Sequence, residues 1–164
     1  MRTPQEKILT LDQAVAYRDE LHKAGKKLVI TNGCFDLPHR GHFEYLNAAR
    51  EEGDALLVAM NSDDSLRRLK GPPRPIIAAA DRAYILGSMQ AVDAVVIFEE
   101  LNALEVFKAV PPDVYVKGGD YSEETLNRDE YPTLKATGCR FCFIPFVPGY
   151  STTTLLASIR ELQD

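Results

Sequence analysis

The chain has 164 residues, of which 45% are hydrophobic and 26% charged, the composition of a globular protein with room for a buried core. Its formal net charge of −5 argues against non-specific binding to nucleic acid, which usually needs a basic surface. No apolar run approaches the roughly 20 residues that cross a bilayer, and the first residues lack the apolar stretch of a signal peptide, so we expect no membrane partner.

Helical patterns and short apolar, β-rich runs alternate along the chain. An opening helix is predicted at 11–24 and ends near Gly25. The apolar runs predict strands at 28–30, 56–60, 94–98, 114–116 and 141–144, with helices at 43–51, 62–69, 81–90, 103–109 and 152–162. Each run is nearly continuous rather than alternating, which is typical of strands covered on both faces.

This order of elements predicts an α/β fold, a Rossmann-like doubly wound parallel sheet of about five strands with helices on both faces. We expect one domain over 1–164, with a helical segment at 1–26 and the functional core at 27–164. Ligands of such sheets bind at the carboxyl ends of the strands, near the topological switch point. The least regular stretches, 71–75 and 118–138, are therefore predicted to be loops of the site.

The most informative motif follows the first predicted strand, where residues 31–42 read T-N-G-C-F-D-L-P-H-R-G-H. His39 and His42 stand at the start of a helix, whose free N–H groups and positive dipole end suit a phosphate. Imidazoles can add donors to phosphate oxygens as negative charge develops. Gly33 gives the chain freedom where it leaves the sheet, and Gly41 permits close approach of a ligand to the backbone.

Two other interpretations apply to these histidines. They can be a capping pair or surface residues, as a lone histidine usually is, but two of the three histidines in the chain fall in this one turn. A structural zinc site needs four ligands and no further ligands are apparent, so we assign no metal ligand to the protein. The third histidine, His22, lies in the opening helix, where we expect it to be solvated.

Residues 31–42 resemble the signature of the cytidylyltransferase-like nucleotidyltransferases, whose H-x-G-H motif binds a nucleotide triphosphate. The wider match is to the adenylyltransferases of that family that make ADP-heptose, a step of lipopolysaccharide biosynthesis, from D-glycero-D-manno-heptose 1-phosphate. It is carried, in this order, by T-N-G-C-F-D, H-R-G-H, N-S-D-D-S-L-R-R-L-K-G-P-P-R-P, A-V-D, V-K-G-G-D-Y and Y-S-T-T. The resemblance covers most of the chain from Thr31 to Thr154.

The resemblance implies a reaction between ATP and a sugar phosphate. The acceptor phosphate would attack the α-phosphorus of the nucleotide in line and release pyrophosphate. Because the acceptor oxygen is already anionic, neither a protein nucleophile nor a general base is needed, and the protein positions the groups and stabilises charge. The implied cofactor is Mg²⁺, held mainly by the triphosphate.

The resemblance also implies the residues of the site. Catalytic roles fall to His39, His42 and Lys70. The nucleotide would be bound by Gly33, Cys34, Phe35, His39, Gly41, His42, Gly119, Asp120, Gly149, Ser151, Thr152 and Thr153. The acceptor would be bound by Asp36, Asp63, Lys70, Arg74, Arg82 and Lys117.

Structural alternatives stay open for several of these residues. One hydroxyl residue of 151–154 is explained by an N-cap alone. Lys70 can complement a helix dipole, Asp63 can cap a helix, and K-G-G-D at 117–120 can be a simple turn. Arg74 and Arg82 can be solvated surface groups.

Other functions of the same motifs are weaker. The glycerol-phosphate cytidylyltransferases carry an arginine shortly before S-T-T, whereas this chain has Phe146-Val147-Pro148. The remaining alternatives are a flavin mononucleotide adenylyltransferase, a nucleotide-binding module without catalysis, and a class I tRNA synthetase fragment, which would carry a K-M-S-K-S-like loop. In the heptose branch the activity is sometimes fused to a sugar kinase; 164 residues leave no room for one, so we expect a separate kinase. A homo-oligomer is compatible with the sequence.

Cys139 and Cys142 form a C-x-x-C pair, which invites a redox interpretation. A thioredoxin-like pair opens a helix after a strand, whereas this pair enters an apolar strand in which residues three apart point to opposite faces. Core packing is therefore the better explanation. Three cysteines, an odd and sparse set, do not make a disulfide framework, so we expect a cytoplasmic protein.

Overall fold

A computed structural model of the chain describes residues 2–119, 121–145 and 147–162. The helices are α1 (Pro4–Lys7), α2 (Leu11–Lys23), α3 (Arg40–Glu51), α4 (Asp63–Lys70), α5 (Ala79–Gly87), α6 (Leu104–Ala109), α7 (Glu130–Ala136) and α8 (Thr152–Glu161). The strands are β1 (Ile8–Leu9), β2 (Leu28–Gly33), β3 (Ala55–Asn61), β4 (Ala94–Phe98), β5 (Val114–Gly118) and β6 (Arg140–Ile144). Within the described ranges, no helix combines the length and the apolar character needed to cross a membrane.

The six strands form one parallel sheet in the order β1-β4-β3-β2-β5-β6, which confirms the predicted fold class. From β2 the chain moves outward through β3 to β4, then returns to the other side of β2 to form β5 and β6. The strand order thus reverses between β2 and β5. This reversal opens a crevice at the carboxyl ends of these two strands, where parallel sheets bind ligands.

The core lies on both faces of the sheet, as the continuous apolar runs predicted. Leu28 and Ile30 of β2 pack in one buried cluster, and Val29 between them packs in the other. Every residue of β3 is buried. Burying a leucine or valine side chain contributes on the order of 2 kcal/mol. The two clusters therefore hold the carboxyl ends of β2 and β5 in place beneath the site.

The structure departs from the predicted elements in two places. Strand β1 pairs with β4 at the edge of the sheet and has only two residues, too few for a periodic pattern, so the segment 1–26 also contributes a strand. The prediction of an irregular stretch at 118–138 was wrong in part, because it contains a 3₁₀ turn (Glu123–Thr125) and α7. Pro132 obscured α7, yet a proline in the first turn of a helix removes no intrahelical hydrogen bond.

Candidate active site

The two histidines of H-x-G-H cap the start of α3. The Gly41 N–H donates to Nδ1 of His39 at 3.1 Å, and the His39 N–H donates to Nδ1 of His42 at 3.3 Å. A neutral imidazole whose Nδ1 accepts a hydrogen bond carries its proton on Nε2. The capping interpretation is therefore geometrically correct, and it leaves each ring one outward Nε2–H donor.

Burial keeps both rings neutral near pH 7. Burial lowers the pKa of His39, and it lowers the pKa of His42 to about 4, with a smaller contribution from the charge of His39. The two ring centroids are 4.0 Å apart, so two imidazolium charges would repel each other strongly. An anion bound between the rings would relieve that repulsion.

A strained turn after β2 sets the position of His42. Phe35 is buried with a φ of 48°, in the left-handed region that favours glycine, and its ring centroid lies 5.4 Å from that of His42. A Cβ at Gly33 would lie 3.0 Å from the Phe35 ring, so a side chain there would displace it. Phe35 and Gly33 thus shape the wall of the site by packing.

A cavity of about 510 Å³ lies between the N-termini of α3 and α8. We call it the histidine cavity; its lining includes Gly33, Cys34, Phe35, His39, Gly41, His42, Tyr45, Lys117, Gly149, Tyr150, Ser151, Thr152 and Thr154. It brings together nine of the predicted nucleotide-binding residues. Gly119 and Thr153 do not line it, and Asp120, like Phe146, lies outside the described residues.

The S-T-T segment forms the opposite wall. Ser151 caps α8 by accepting the Thr154 N–H at 3.0 Å, as the N-cap interpretation predicted. The Thr152 hydroxyl donates to the backbone carbonyl of Asp36 at 3.1 Å, which ties α8 to the turn after β2. Two helix N-termini therefore face one cavity, an arrangement that favours a polyphosphate. The sequence assigned Thr153, whereas Thr154 lines the cavity.

A second cavity of about 430 Å³ adjoins the first across the end of β2. We call it the asparagine cavity, because its lining includes Asn32, Asn61, Asn102 and Asn127, together with Lys70, Lys117, Tyr121 and Glu130. Both cavities share Asn32, Gly33, Cys34 and Lys117 as a common wall. Of the predicted acceptor-binding residues, Lys70 and Lys117 line this second cavity.

Asp36 and Arg74, two of the predicted acceptor-binding residues, contact each other. Asp36 is 2% exposed and lines neither cavity; its carboxylate accepts Arg74 Nε at 2.6 Å and the Ile77 N–H at 3.0 Å. Burial alone would raise the pKa of Asp36, but these hydrogen bonds and the Arg74 charge outweigh it, and the pKa lies below its ordinary value. The pair fixes the loop after α4.

Arg82 and Asp63, two more of the predicted acceptor-binding residues, also form an ion pair. Arg82 is fully buried and donates to the carbonyls of Cys34 at 2.6 Å and Asn61 at 2.9 Å, while its Nη2 lies 2.8 Å from Asp63. It therefore joins the ends of β2 and β3. Neither residue lines the histidine cavity or the asparagine cavity, and the same is true of Asp36 and Arg74, so a contact of these four residues with the acceptor stays a prediction.

Sequence reasoning missed the polar network at the base of the asparagine cavity. Oδ1 of Asn32 accepts hydrogen bonds from Lys117 Nζ at 2.9 Å and from the Tyr115 hydroxyl at 2.8 Å. Nδ2 of Asn32 donates to Glu130 Oε1 at 3.1 Å. Burial lowers the pKa of Lys117. Asn32 stood inside the T-N-G motif and could have been selected there, whereas no motif marked Glu130.

No cluster of three or more His, Cys, Asp or Glu side chains suited to a metal ion occurs in the described part of the chain. Two carboxylates near the site are engaged by arginines: Asp36 by Arg74 and Asp63 by Arg82. The strongest anion-binding features are instead the helix ends and the lysines.

Solved structures share the fold. A lipopolysaccharide core biosynthesis protein from Thermoplasma volcanium matches with a TM-score of 0.61 at 24% identity, over 75% of this chain and 98% of its own. Pantoate-beta-alanine ligase from Francisella tularensis matches with a TM-score of 0.58 at 13% identity, over 96% of this chain and 78% of its own. At these identities the likeness concerns the fold alone.

Sequence relatives are closer. The bifunctional protein HldE of Nitratiruptor is 46% identical over 96% of this chain, and that of Geotalea uraniireducens is 47% identical over 94%. The chain spans about a third of the length of these curated relatives, 33% and 31%. The cytidylyltransferase-like family matches residues 30–156, which include the H-x-G-H turn and the S-T-T helix. The chain belongs to the cytidylyltransferase-like family.

Proposed function

We propose that this chain transfers AMP from ATP to D-glycero-D-manno-heptose 1-phosphate, giving ADP-heptose and pyrophosphate. The observation that carries the proposal is the pair of cavities that share one wall at the switch point. One cavity has helix ends and aromatic side chains, and the other has amides and lysines. Such a pair suits a nucleotide meeting a phosphorylated, hydroxyl-rich acceptor.

The nucleotide occupies the histidine cavity in this proposal. Tyr45, Val147 and Tyr150 supply apolar surface for the nucleoside, and the N-termini of α3 and α8 supply N–H donors for the phosphates. His39 and His42 each offer one Nε2–H. These donors are held in place by the capping hydrogen bonds, so little reorganisation is needed when charge develops.

The acceptor phosphate approaches from the asparagine cavity. One of its oxygens attacks the α-phosphorus, a new O–P bond forms, and the bond to the β-phosphate oxygen breaks with its electron pair leaving on pyrophosphate. Lys117 lines both cavities and can neutralise charge on either phosphate, while Lys70 stands at the outer rim. The amides of Asn61 and Asn102 suit the sugar hydroxyls.

A divalent cation, which we propose to be Mg²⁺, accompanies the nucleotide. In this proposal the ion is bound mainly by the phosphate oxygens of the nucleotide. When bound, the ion neutralises charge on the triphosphate. The residues of this chain orient the triphosphate through the helix ends and the two histidines.

The relatives are named bifunctional, and this chain matches about a third of their length. We propose that residues 1–164 form one nucleotidyltransferase domain with 27–164 as its catalytic core. We further propose that a separate sugar kinase supplies the sugar 1-phosphate, in the cytoplasm. A homo-oligomer is compatible with this arrangement.

Pyrophosphate release from an array of nucleotides and acceptors tests the proposal. ATP with the heptose 1-phosphate and Mg²⁺ should be the best pair, and CTP with glycerol 3-phosphate should be poorer by at least ~100-fold in kcat/KM, because polar groups meant for sugar hydroxyls stay unpaired. Preference for CTP with glycerol 3-phosphate would overturn the heptose assignment. Nucleotide binding without pyrophosphate release from any pair would indicate a non-catalytic module.

A further inference from the structure

Glu130 is an unusual residue for the base of a cavity. It is the first residue of α7 and is only 4% exposed, and it nevertheless lines the asparagine cavity. Burial raises the pKa of its carboxyl group, and the Ala103 N–H and the Lys117 charge oppose that rise. Burying a carboxylate costs folding free energy unless hydrogen bonds compensate it, so the partners of each carboxylate oxygen indicate what the group does.

One carboxylate oxygen carries the protein contacts. Oε1 accepts the Ala103 N–H at 2.7 Å and Nδ2 of Asn32 at 3.1 Å. In the part of the chain that the structure describes, no hydrogen bond reaches Oε2. Among the same residues, the single fully buried side-chain polar atom without a hydrogen-bond partner is Arg18 Nη1. Since Oε2 of Glu130 also has no partner and is not such an atom, it is not fully buried. It opens onto the cavity.

Asn32 fixes the orientation of this carboxylate. Its Oδ1 accepts both Lys117 Nζ and the Tyr115 hydroxyl, which leaves its Nδ2 directed at Glu130. The amide oxygen is saturated and has little capacity to accept from a bound molecule. Glu130 Oε2 is therefore the strongest available acceptor at this end of the cavity, and it is held rigid from both sides.

An ionised carboxylate accepts hydrogen bonds and repels phosphate. The hydrogen bonds from Ala103 and Asn32 and the Lys117 charge favour this ionised form of Glu130. Oε2 in this form does not contact the phosphate of the acceptor, whose place is near Lys70 and Lys117, and it selects a group that donates. In a phosphorylated acceptor without nitrogen, that group is a hydroxyl. A charged hydrogen bond of this kind also discriminates strongly, since an acceptor lacking the hydroxyl leaves a desolvated carboxylate unpaired.

We propose that Glu130 is the specificity-determining residue for the acceptor, and that its Oε2 accepts a hydrogen bond from a hydroxyl of the sugar. This inference rests on the proposed nucleotide transfer to a sugar phosphate and adds the group that recognises the sugar. Lys70 and Lys117 bind the phosphate, and Glu130, which Asn32 separates from Lys117, binds a hydroxyl of the sugar.

Glu130→Gln tests the inference with little disturbance of the fold. Glutamine keeps an Oε1 that accepts from Ala103 and Asn32, and it replaces Oε2 by an amide that donates. We expect kcat/KM for the heptose 1-phosphate to fall by ~10- to 100-fold. The Kd of ATP, measured by calorimetry without acceptor, should not change. Glu124→Gln, in the exposed turn before α7, is the matched control and should behave as wild type.

Monodeoxy analogues of the heptose 1-phosphate separate recognition from a structural role. In the wild type, removal of the hydroxyl that Oε2 binds should lower kcat/KM by a similar ~10- to 100-fold. In Glu130→Gln the same removal should have little further effect, because the two changes delete one contact. Equal losses for every analogue in both proteins, or normal kcat/KM in Glu130→Gln, would overturn the inference and leave the proposed function standing.

The converse failure is also distinct. If the enzyme prefers another hydroxylated acceptor such as glycerol 3-phosphate, the heptose assignment fails, and Glu130→Gln must still lose activity toward that acceptor for the inference to hold. If no pair releases pyrophosphate, calorimetric binding of the heptose 1-phosphate to the wild type and Glu130→Gln decides. Weaker binding by the variant supports the inference, and equal or absent binding overturns it.

Discussion

The two cavities are built in different ways. The lining of the histidine cavity comes mostly from two short contiguous motifs, each at the start of a helix. Its donors are mostly backbone N–H groups and neutral imidazoles, with Lys117 added from β5. The asparagine cavity collects single side chains from distant segments; Asn32 and Glu130, which bond each other, stand 98 positions apart. In the proposed function, the nucleotide site thus uses mainly the backbone, whereas the acceptor site uses dispersed side chains.

The largest effect should follow removal of the support that both cavities share. Arg82→Ala leaves the carbonyls of Cys34 and Asn61 without their donor and creates a cavity, so we expect the free energy of unfolding to fall by about 3–5 kcal/mol. Urea denaturation measures this. Arg67→Ala, which removes a half-exposed arginine of α4, is the control. A change below about 1 kcal/mol in Arg82→Ala would show that the wall holds without it.

Loss of a histidine should affect the chemistry of the histidine cavity alone. His39→Ala and His42→Ala should each lower kcat about a hundredfold, roughly 3 kcal/mol, if the Nε2–H donors act mainly in the transition state. Steady-state kinetics should accompany circular dichroism, because each variant also loses a cap of α3. His22→Ala, in α2, is the control. Near-normal turnover in either site variant with an intact fold would contradict the assigned role.

The contrast between the cavities also explains what the sequence could predict. Five of the strands, most of the helices and the H-x-G-H cap were predictable, because each depends on residues close together in the chain; β1 and α7 were not. Asp36 and Arg82 were assigned to the acceptor from their place in motifs, yet they are buried in internal hydrogen bonds. Their partners are contributed by tertiary structure, which no local pattern specifies. Glu130 was missed for the same reason.

Lowering the pH should reduce the free energy of unfolding of the ligand-free protein, because His42 of the histidine cavity is partly buried as a neutral ring. The folded pKa of His42, about 4, lies below the ordinary value of 6.5, so the unfolded chain takes up a proton first. The stabilisation is complete above about pH 6.5 and is lost as pH falls toward 4. Between pH 7 and 4.5 the wild type should lose on the order of 2 kcal/mol more than His42→Asn. Urea denaturation of both proteins at both pH values measures this difference. Equal losses in the wild type and in His42→Asn would contradict a His42 ring that is neutral in the folded protein.

Lys70→Ala should weaken binding of the acceptor in the asparagine cavity, and this effect should be smaller than the loss of kcat in the histidine variants. Lys70 is exposed at the end of α4, where water screens its charge, so we expect the KM of the acceptor to rise about tenfold while the KM of ATP changes little. The two Michaelis constants from initial rates measure this. The rise should shrink as salt is added. A rise confined to the KM of ATP would indicate that Lys70 contacts the nucleotide and not the acceptor.

The smallest effect on activity is expected from Cys139, which directly precedes β6, and Cys142, which lies within it. Cys139 packs against one core cluster and Cys142 against the other, so their sulfur atoms lie on opposite faces of the sheet and cannot pair without rearrangement of the strand. Burial raises the pKa of both thiols, which lowers their reactivity. Replacing both with serine should therefore leave kcat unchanged under reducing conditions, with a loss of about 1–3 kcal/mol in unfolding free energy. A thiol-dependent change in kcat that disappears in the double variant would restore the redox interpretation, as would bound zinc that the variant loses.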